Sequence, residues 1–299
     1  MKYLLLYNPV SGRSTICKHL PKIHKRFAKE GLTIDTYESK RENDLVEQAY
    51  RKSSDYDVFL VAGGDGTVNE VVNGVMRAKK RPAIGVIPSG TANDIAAILG
   101  IRRSIRRALN VILRGEAVSM DINRMNDHYF VYTAAAGVLT RISYDVSRRR
   151  LKKYGYLAYV FEGMKDLSQD YRFPLEITYN GKKVKNEYML ALGLSSNRVG
   201  GVFLKNFAHS KMNDGLFEIR LFRTKRKFRW FRLVFFFLRG GKKLREDEHL
   251  VASSFEIKAD PDLSWNADGE LAARGSIEIR VLQEQIRFYM SERTKKKYF

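Results

Sequence analysis

The sequence predicts an α/β protein in two parts. An N-terminal α/β domain with a parallel sheet flanked by helices precedes a mostly β, sandwich-like domain, with the active site in the cleft between them. Two observations carry this prediction. Over residues 1–121, short apolar runs alternate with helix-spaced segments, the order that builds a parallel sheet covered by helices. After about Asp121 the apolar residues alternate with period two, the texture of half-buried strands.

The elements follow in order. Lys2–Tyr7 is an apolar strand that Asn8-Pro9 cuts off, and residues 16–29 have helical spacing of charge and apolar groups. Val58–Ala62 is a second strand, closed by Gly63 and Gly64. From there Val68, Val71, Val72, Val75 and Met76 recur as one buried helix face. Ala83–Ile87 is a third strand, ending at Pro88-Ser89-Gly90, and Ile95–Leu99 resumes as helix. Strands then fall at Tyr129–Ala135, Leu175–Tyr179, Met189–Leu194, Leu216–Leu221, Phe255–Ala259 and Ile277–Leu282, with a hairpin turn at Asn180-Gly181. A helical segment near 156–167 and a basic aromatic stretch over Lys225–Arg239 interrupt them. The expected boundaries are 1–121, with about 285–299 packing back on that domain, and 122–284.

Composition narrows the function. A 44% hydrophobic fraction supplies a core, and 29% charged residues argue against a membrane-embedded chain. Cys17 is the only cysteine, so no intrachain disulfide or cysteine-built zinc cluster can form, and a reducing cytosol fits best. The histidines (His19, His24, His128, His209, His249) show no ligand spacing. The apolar start is too short for a signal peptide, and Trp230–Leu238 falls short of a membrane span. The net charge of +21 attracts polyanions: nucleic acid, an anionic bilayer or phosphorylated ligands.

Three loops rich in Gly, Ser, Thr and Asn follow the predicted strands: Asn8–Arg13, Gly63–Thr67 and Pro88–Asp94. Loops at the carboxyl ends of strands are where ligands gather in such sheets, and amides ahead of a helix favour anions. One such loop is ordinarily a corner, but three of like chemistry point to a phosphate site. No GxxxxGK[ST] is present, and Asn69 stands where a dinucleotide fingerprint needs glycine. Asp65 would repel bare phosphate, so the loop reads as a site for nucleotide phosphate with Mg²⁺.

Gly63-Gly64-Asp65-Gly66-Thr67-Val68-Asn69-Glu70, with Asn8–Gly12 and Pro88–Asp94, resembles the diacylglycerol kinase catalytic-domain family. The resemblance is to its soluble bacterial lipid-kinase branch, related to sphingosine kinases and distantly to NAD kinases. It extends through Leu151–Tyr159, Asn213–Phe217 and Asp268-Gly269-Glu270 to nearly the whole chain. It implies ATP and Mg²⁺ as cofactors and a lipid hydroxyl, foremost that of diacylglycerol, as acceptor. The ATP phosphates would lie against Asn8, Pro9, Val10, Ser11, Gly12 and Gly64, Asp65, Gly66, Thr67, Val68, Asn69, Glu70, with Thr91 nearby and Ser39 near the adenosine. Asp214 would hold a structural Mg²⁺ with backbone carbonyls near Lys211 and Leu216, and Asp94 and Asp121 would reach that metal through waters. Asp268 and Glu270 would flank the acceptor hydroxyl, one of them as general base, with Asp65 managing metal and phosphate charge. Two features depart from the family: Arg198-Val199-Gly200-Gly201 replaces a triple glycine, and Asn213 a second aspartate. Both bear on the choice of acceptor, so a sphingoid base, phosphatidylglycerol or NAD stays an alternative.

Arg148–Tyr154 and Lys225–Arg232 interleave cations with aromatics, and the second runs into Leu233–Leu238. Such a segment suits either an anionic bilayer interface or a core helix with a basic outer side. The expectation is a cytoplasmic protein, peripherally associated with the inner face of the membrane, whose lipid substrate lies in an anionic surface. No RNA-binding sheet signature or zinc finger supports the competing class, a basic nucleic-acid-binding protein. A homo-oligomer stays open.

Overall fold

The computed structural model describes residues 1–12, 16–101, 104–137, 172–207, 211–223 and 229–299, the backbone alone at 229–232 and 234. Arg148–Tyr154, Leu151–Tyr159, the predicted helix near 156–167, His209, Arg13 and Lys225–Phe228 lie outside the described residues. The chain divides into two compact units: Met1–Ile122 with Gln283–Phe299, and Asn123–Leu282.

Unit 1 runs β1 (Tyr3–Tyr7), α1 (Leu20–Lys29), β2 (Asp35–Glu38), α2 (Asp44–Lys52), β3 (Val58–Gly63), α3 (Asp65–Arg77), β4 (Ala83–Pro88), α4 (Asp94–Ile98), α5 (Ile105–Arg114) and the start of β5 (Ala117–Met125). Its parallel strands lie in the order β4-β3-β1-β2. Every residue of β1, β3 and β4 is buried, as expected of parallel strands covered on both faces. Ile23 and Phe27 anchor α1, and Phe27 meets Tyr3 edge-on at 5.1 Å. Val68, Val71, Val72 and Val75 of α3 are buried, as their spacing predicts. Close approach of α2 to α3 depends on Gly74, where a Cβ would overlap the Val46 carbonyl oxygen.

Unit 2 holds β6 (His128–Phe130), β7 (Thr133–Gly137), β8 (Phe173–Tyr179), β9 (Lys182–Leu194), β10 (Arg198–Val199), β11 (Val202–Phe203), β12 (Phe217–Arg223), α6 (Arg229–Leu238), β13 (Glu248–Ala252), β14 (Ser254–Ala259), β15 (Ser264–Ala267), β16 (Glu270–Arg274) and the start of β17 (Ile277–Tyr289). The antiparallel order is β16-β15-β7-β9-β8-β14-β17, and β12 also pairs with β9 and carries β13. Asn180 and Gly181 both have positive φ, 48° and 71°, the geometry of a tight hairpin between β8 and β9. Alternate residues of β9 serve two cores. Ala191 joins Phe130, Phe217, Phe255 and Trp265, whereas Leu190, Leu192 and Leu194 join Phe207, Phe222, Leu233 and Phe236. Helix α6 therefore covers the second face of the sheet.

Strand β17 ends in unit 1, where Phe288 lies in parallel register with Ile84 of β4. It is followed by α7 (Glu292–Tyr298), capped by Ser291 Oγ on the Thr294 amide. Ser291 also donates its amide to the Leu99 carbonyl at 3.0 Å, tying the C-terminal segment to unit 1. Among the described residues, no helix is long and apolar enough to cross a membrane.

The phenylalanines of α6 are not equivalent. Phe236 is fully buried, and Phe235 is 49% exposed. Phe236→Ala is expected to cost about 3–5 kcal/mol and Phe235→Ser about 0.5 kcal/mol, as read by denaturant unfolding.

Candidate active site

The parallel register sets the carboxyl ends of β1, β3 and β4 side by side, pairing Tyr7 with Ala62 and Gly63 with Pro88. Backbone bonds carry this pairing into the loops. The Asn8 amide donates to Ala62 O (3.2 Å), the Ser89 amide to Gly63 O (3.0 Å) and the Ser39 amide to Tyr7 O (2.9 Å). Ser39 therefore lies next to the Asn8 loop, although β2 itself was not legible in the sequence.

Glycines mark the points of closest approach between loops. Gly12 has φ +57°, and a Cβ there would overlap the Ser89 carbonyl. A Cβ on Gly64 would sit 3.3 Å from Gly90 Cα, and one on Gly90 would overlap Gly64 Cα. These three residues are glycine because backbone packs on backbone. Side chains complete the frame. Asn8 Oδ1 accepts from the Val10 amide (3.0 Å), while Asn93 accepts from the Gly90 amide (2.7 Å) and donates to the Gly90 carbonyl (2.8 Å).

The Asp65 carboxylate has a protein partner that the sequence reading did not foresee: Oδ1 accepts the Ile95 amide at 2.9 Å, at the start of α4. The acid thus joins the second loop to the third. Helix α3 begins at Asp65 after an extended Gly64, with no side chain capping it. Its first intrahelical acceptor bond is Val68 N to Gly64 O, 3.1 Å. An uncapped helix start of this kind turns amide donors and positive dipole toward an anion. Ser89 Oγ is buried beside it with no hydrogen-bond partner among the described residues. These donors fit a phosphate.

The sequence-predicted nucleotide residues separate into two groups. Asn8, Pro9, Ser11, Gly12, Gly64, Asp65 and Gly66 are partly exposed, and Val10 and Thr91 are exposed. Thr67, Val68 and Asn69 are buried. Asn69 Oδ1 accepts from Asn73 Nδ2 (2.9 Å), and Glu70 accepts the Leu45 amide of α2 (3.3 Å). Val68 and Asn69 turn their side chains into the fold, and Glu70, partly exposed, holds the start of α2. Ser89, Gly90 and Asn93 belong to the frame although the sequence reading gave them no role. Their signal was the Pro88–Asp94 run itself. At the end of β1, burial first and the Glu38 carboxylate second raise the Tyr7 hydroxyl above the usual tyrosine range; it donates to Glu38 at 2.6 Å.

In unit 2, Asp268 is buried at the β15–β16 turn with φ +50°. Its Oδ2 accepts the Val131 amide (2.6 Å), and its Oδ1 the Tyr132 (3.0 Å) and Thr133 (3.2 Å) amides. Glu270, two residues on in β16, is exposed. Asp214 accepts the Lys211 amide (2.8 Å) and the Leu216 amide (3.0 Å). Each Asp214 oxygen keeps a further lone pair, and the neighbouring carbonyls are oxygen donors too, so this set fits Mg²⁺. Asp94 is fully buried in unit 1, and Asp121, also in unit 1, accepts the Glu284 amide at 2.9 Å. Arg198-Val199, where the family has glycine, forms the hairpin β10–β11 through Gly200 and Gly201, both at positive φ.

The architecture is an α/β unit with interlocked carboxyl-end loops followed by a β-rich unit with acidic turns, and its relatives make it a lipid kinase. Residues 2–125 match the model of the diacylglycerol kinase catalytic domain. The chain is 35% identical over 271 residues to a diacylglycerol kinase of Bacillus subtilis (strain 168), covering 89% of this chain and 88% of that one. It is 32% identical over 289 residues to a diacylglycerol kinase of Staphylococcus carnosus (strain TM300), covering 95% and 94%. A crystal structure of a diacylglycerol kinase from Bacillus anthracis str. Sterne superimposes with a TM-score of 0.79 at 25% identity, over 98% of each chain. The chain belongs to the diacylglycerol kinase family.

Proposed function

We propose that this protein transfers the γ-phosphate of ATP, in a Mg²⁺-dependent reaction, to the free hydroxyl of diacylglycerol, giving phosphatidate. The observation that carries the ATP half of this reading is the interlocked frame of Gly12, Gly64, Gly90 and Asn93 around an uncapped α3. Phosphoryl transfer needs positioning and charge neutralisation more than covalent help. In this reading the amides of the α3 start and the Ser89 hydroxyl hold the phosphates. Asp65 acts at a distance by fixing α4 and its loop.

The two candidate bases differ in what surrounds them. Three amides on the Asp268 carboxylate stabilise its charged form and make it a poor proton acceptor. Its role is to position the turn that carries Glu270. Glu270 is the general base, taking the acceptor proton as the new P–O bond forms.

Asp214, with carbonyls near Lys211 and Leu216, is the Mg²⁺ anchor. Mg²⁺ bound at Asp214 would hold this turn, and Mg²⁺ carried with the nucleotide would supply charge neutralisation at the phosphate oxygens. Asp214→Asn is expected to raise the Mg²⁺ concentration for half-maximal rate by about tenfold, with kcat recovered at saturating Mg²⁺.

The test of the acceptor is transfer from γ-labelled ATP to a panel of lipid alcohols and NAD. Labelled phosphatidate from diacylglycerol is the expected product. Preferential labelling of a sphingoid base, phosphatidylglycerol or NAD would replace this acceptor by that one.

A further inference from the structure

Unit 2 carries an apolar patch ringed by cations that the reaction does not use. Helix α6 buries Leu233 and Phe236, and on another side it exposes Phe235 (49%) and Leu238 (80%), one turn apart. Phe203, 46% exposed, stands at the end of the β10–β11 hairpin, next to buried Leu204 of the same core. The hairpin exit and the helix end are fastened together: Asn206 donates its amide to Gly240 O (2.8 Å) and its side chain to Arg239 O (2.9 Å).

Lys205, Arg239, Lys242 and Lys243, on the same two segments as these three side chains, are exposed, whereas Arg245 beyond them lines a cavity with Glu187, Glu246, Asp247 and Glu248. The stretches Arg198–Phe207 and Arg229–Arg245 contain no aspartate or glutamate. The Arg239 guanidinium sits 5.0 Å from the Phe235 ring centre, a cation held against an apolar body. Large apolar side chains within a rim of one charge sign match an interface that is greasy inside and anionic at its surface. A second copy matches it poorly, since it would bring the same cations and the same +21.

We propose that Phe203, Phe235 and Leu238, with Lys205, Arg239, Lys242 and Lys243, form the surface by which the protein docks on an anionic lipid leaflet. The apolar tips enter the acyl boundary, and the cations stay among the headgroups. This inference rests on the reading that the acceptor is a membrane lipid. Burial selects the residues that test docking. Phe236 belongs to the core, so substituting the whole Phe235–Phe237 run would confound docking with unfolding.

The experiment is sedimentation of the full chain with phosphatidylglycerol-containing vesicles and with phosphatidylcholine vesicles. Turnover of a dispersed short-chain diacylglycerol is measured alongside. Wild type is expected to bind the anionic vesicles and to release them as salt rises. The variant Phe203→Ser/Phe235→Ser/Leu238→Ser should bind them about tenfold more weakly. Lys242→Glu/Lys243→Glu, whose side chains lie in solvent, should do so by a similar factor of about ten. Both should keep wild-type short-chain turnover. Wild-type vesicle binding by the charge variant overturns the proposal, as does equal binding of wild type to both vesicle types. So does a variant set that dissociates a dimer while vesicle binding persists. If wild type binds anionic vesicles but never phosphorylates the short-chain diacylglycerol, the acceptor reading fails and the docking surface stands.

Discussion

Gly12→Ala is expected to lower kcat/KM for ATP by about 10²-fold, most of it as weaker nucleotide binding, with unit 2 unfolding as in wild type. Two independent causes act at this position. The backbone sits at φ +57°, which an alanine side chain disfavours, and the new Cβ would overlap the Ser89 carbonyl. Relief requires the first loop to move away from the third. Such a shift separates the Asn8–Gly12 backbone from the Ser89 hydroxyl and the α3 start, which the proposed reading has acting on the same phosphates. Gly90→Ala should give a loss of similar size from the other side, because its Cβ would overlap Gly64 Cα and lie 3.0 Å from Asn93 Oδ1. ATP affinity by titration calorimetry, read together with steady-state kinetics, checks both. Wild-type ATP affinity in the two variants would show that the glycines serve only the corners.

Gly31 makes the contrast. It too has positive φ, +69°, yet a Cβ there would meet nothing within 4 Å. Its substitution should strain the α1–β2 connection and leave ATP binding unchanged.

The same residues show what the sequence made legible. β1, β3 and β4 are buried on both faces, so they read as unbroken apolar runs between turn residues. The carboxyl-end loops could be read because their composition departs from that of ordinary corners. Edge strand β2 could not, since Asp-Thr-Tyr-Glu is largely exposed and carries no period. Helix α2 escaped notice because its buried residues, Asp44, Leu45 and Ala49, include an acid. That acid accepts from the Tyr37 hydroxyl (3.0 Å) and the Lys40 amide (2.9 Å), partners that only the fold supplies.

Acids in the motifs posed a related difficulty. An aspartate in a glycine-rich loop signals that its charge must be compensated, but not by what. For Asp65 one compensating group is the Ile95 amide, thirty residues later. For Asp268 the groups are three amides near residue 131, on the far side of the sequence. Because these donors are distant in the chain, the charge argument for Asp65 and the family resemblance for Asp268 pointed to metal or proton chemistry without them. Glu70 belongs to the same class: one of its partners is the α2 amide of Leu45, which its own stretch of sequence does not announce.

Asp268 and Glu270 should therefore fail in different ways when altered. Glu270→Gln is expected to lower kcat by about 10²–10⁴-fold, with little change in melting temperature or in KM for ATP, because the side chain is exposed and glutamine keeps its shape and an acceptor oxygen while losing the basic carboxylate. Asp268→Ala should instead lose about 3 kcal/mol or more of stability, since three amides near the β15–β16 turn lose a charged acceptor. Asp268→Asn does not rescue it. With Oδ1 serving the Tyr132 and Thr133 amides, the new NH₂ group would face the Val131 amide that now lies 2.6 Å from Oδ2, donor against donor. Thermal unfolding alongside single-turnover transfer from labelled ATP separates the two cases. Stability loss with proportionate activity loss is the expected signature of Asp268, and activity loss at full stability that of Glu270. A stable but inactive Asp268→Asn protein, paired with an active Glu270→Gln protein, would reverse the assignment and make Asp268 the base.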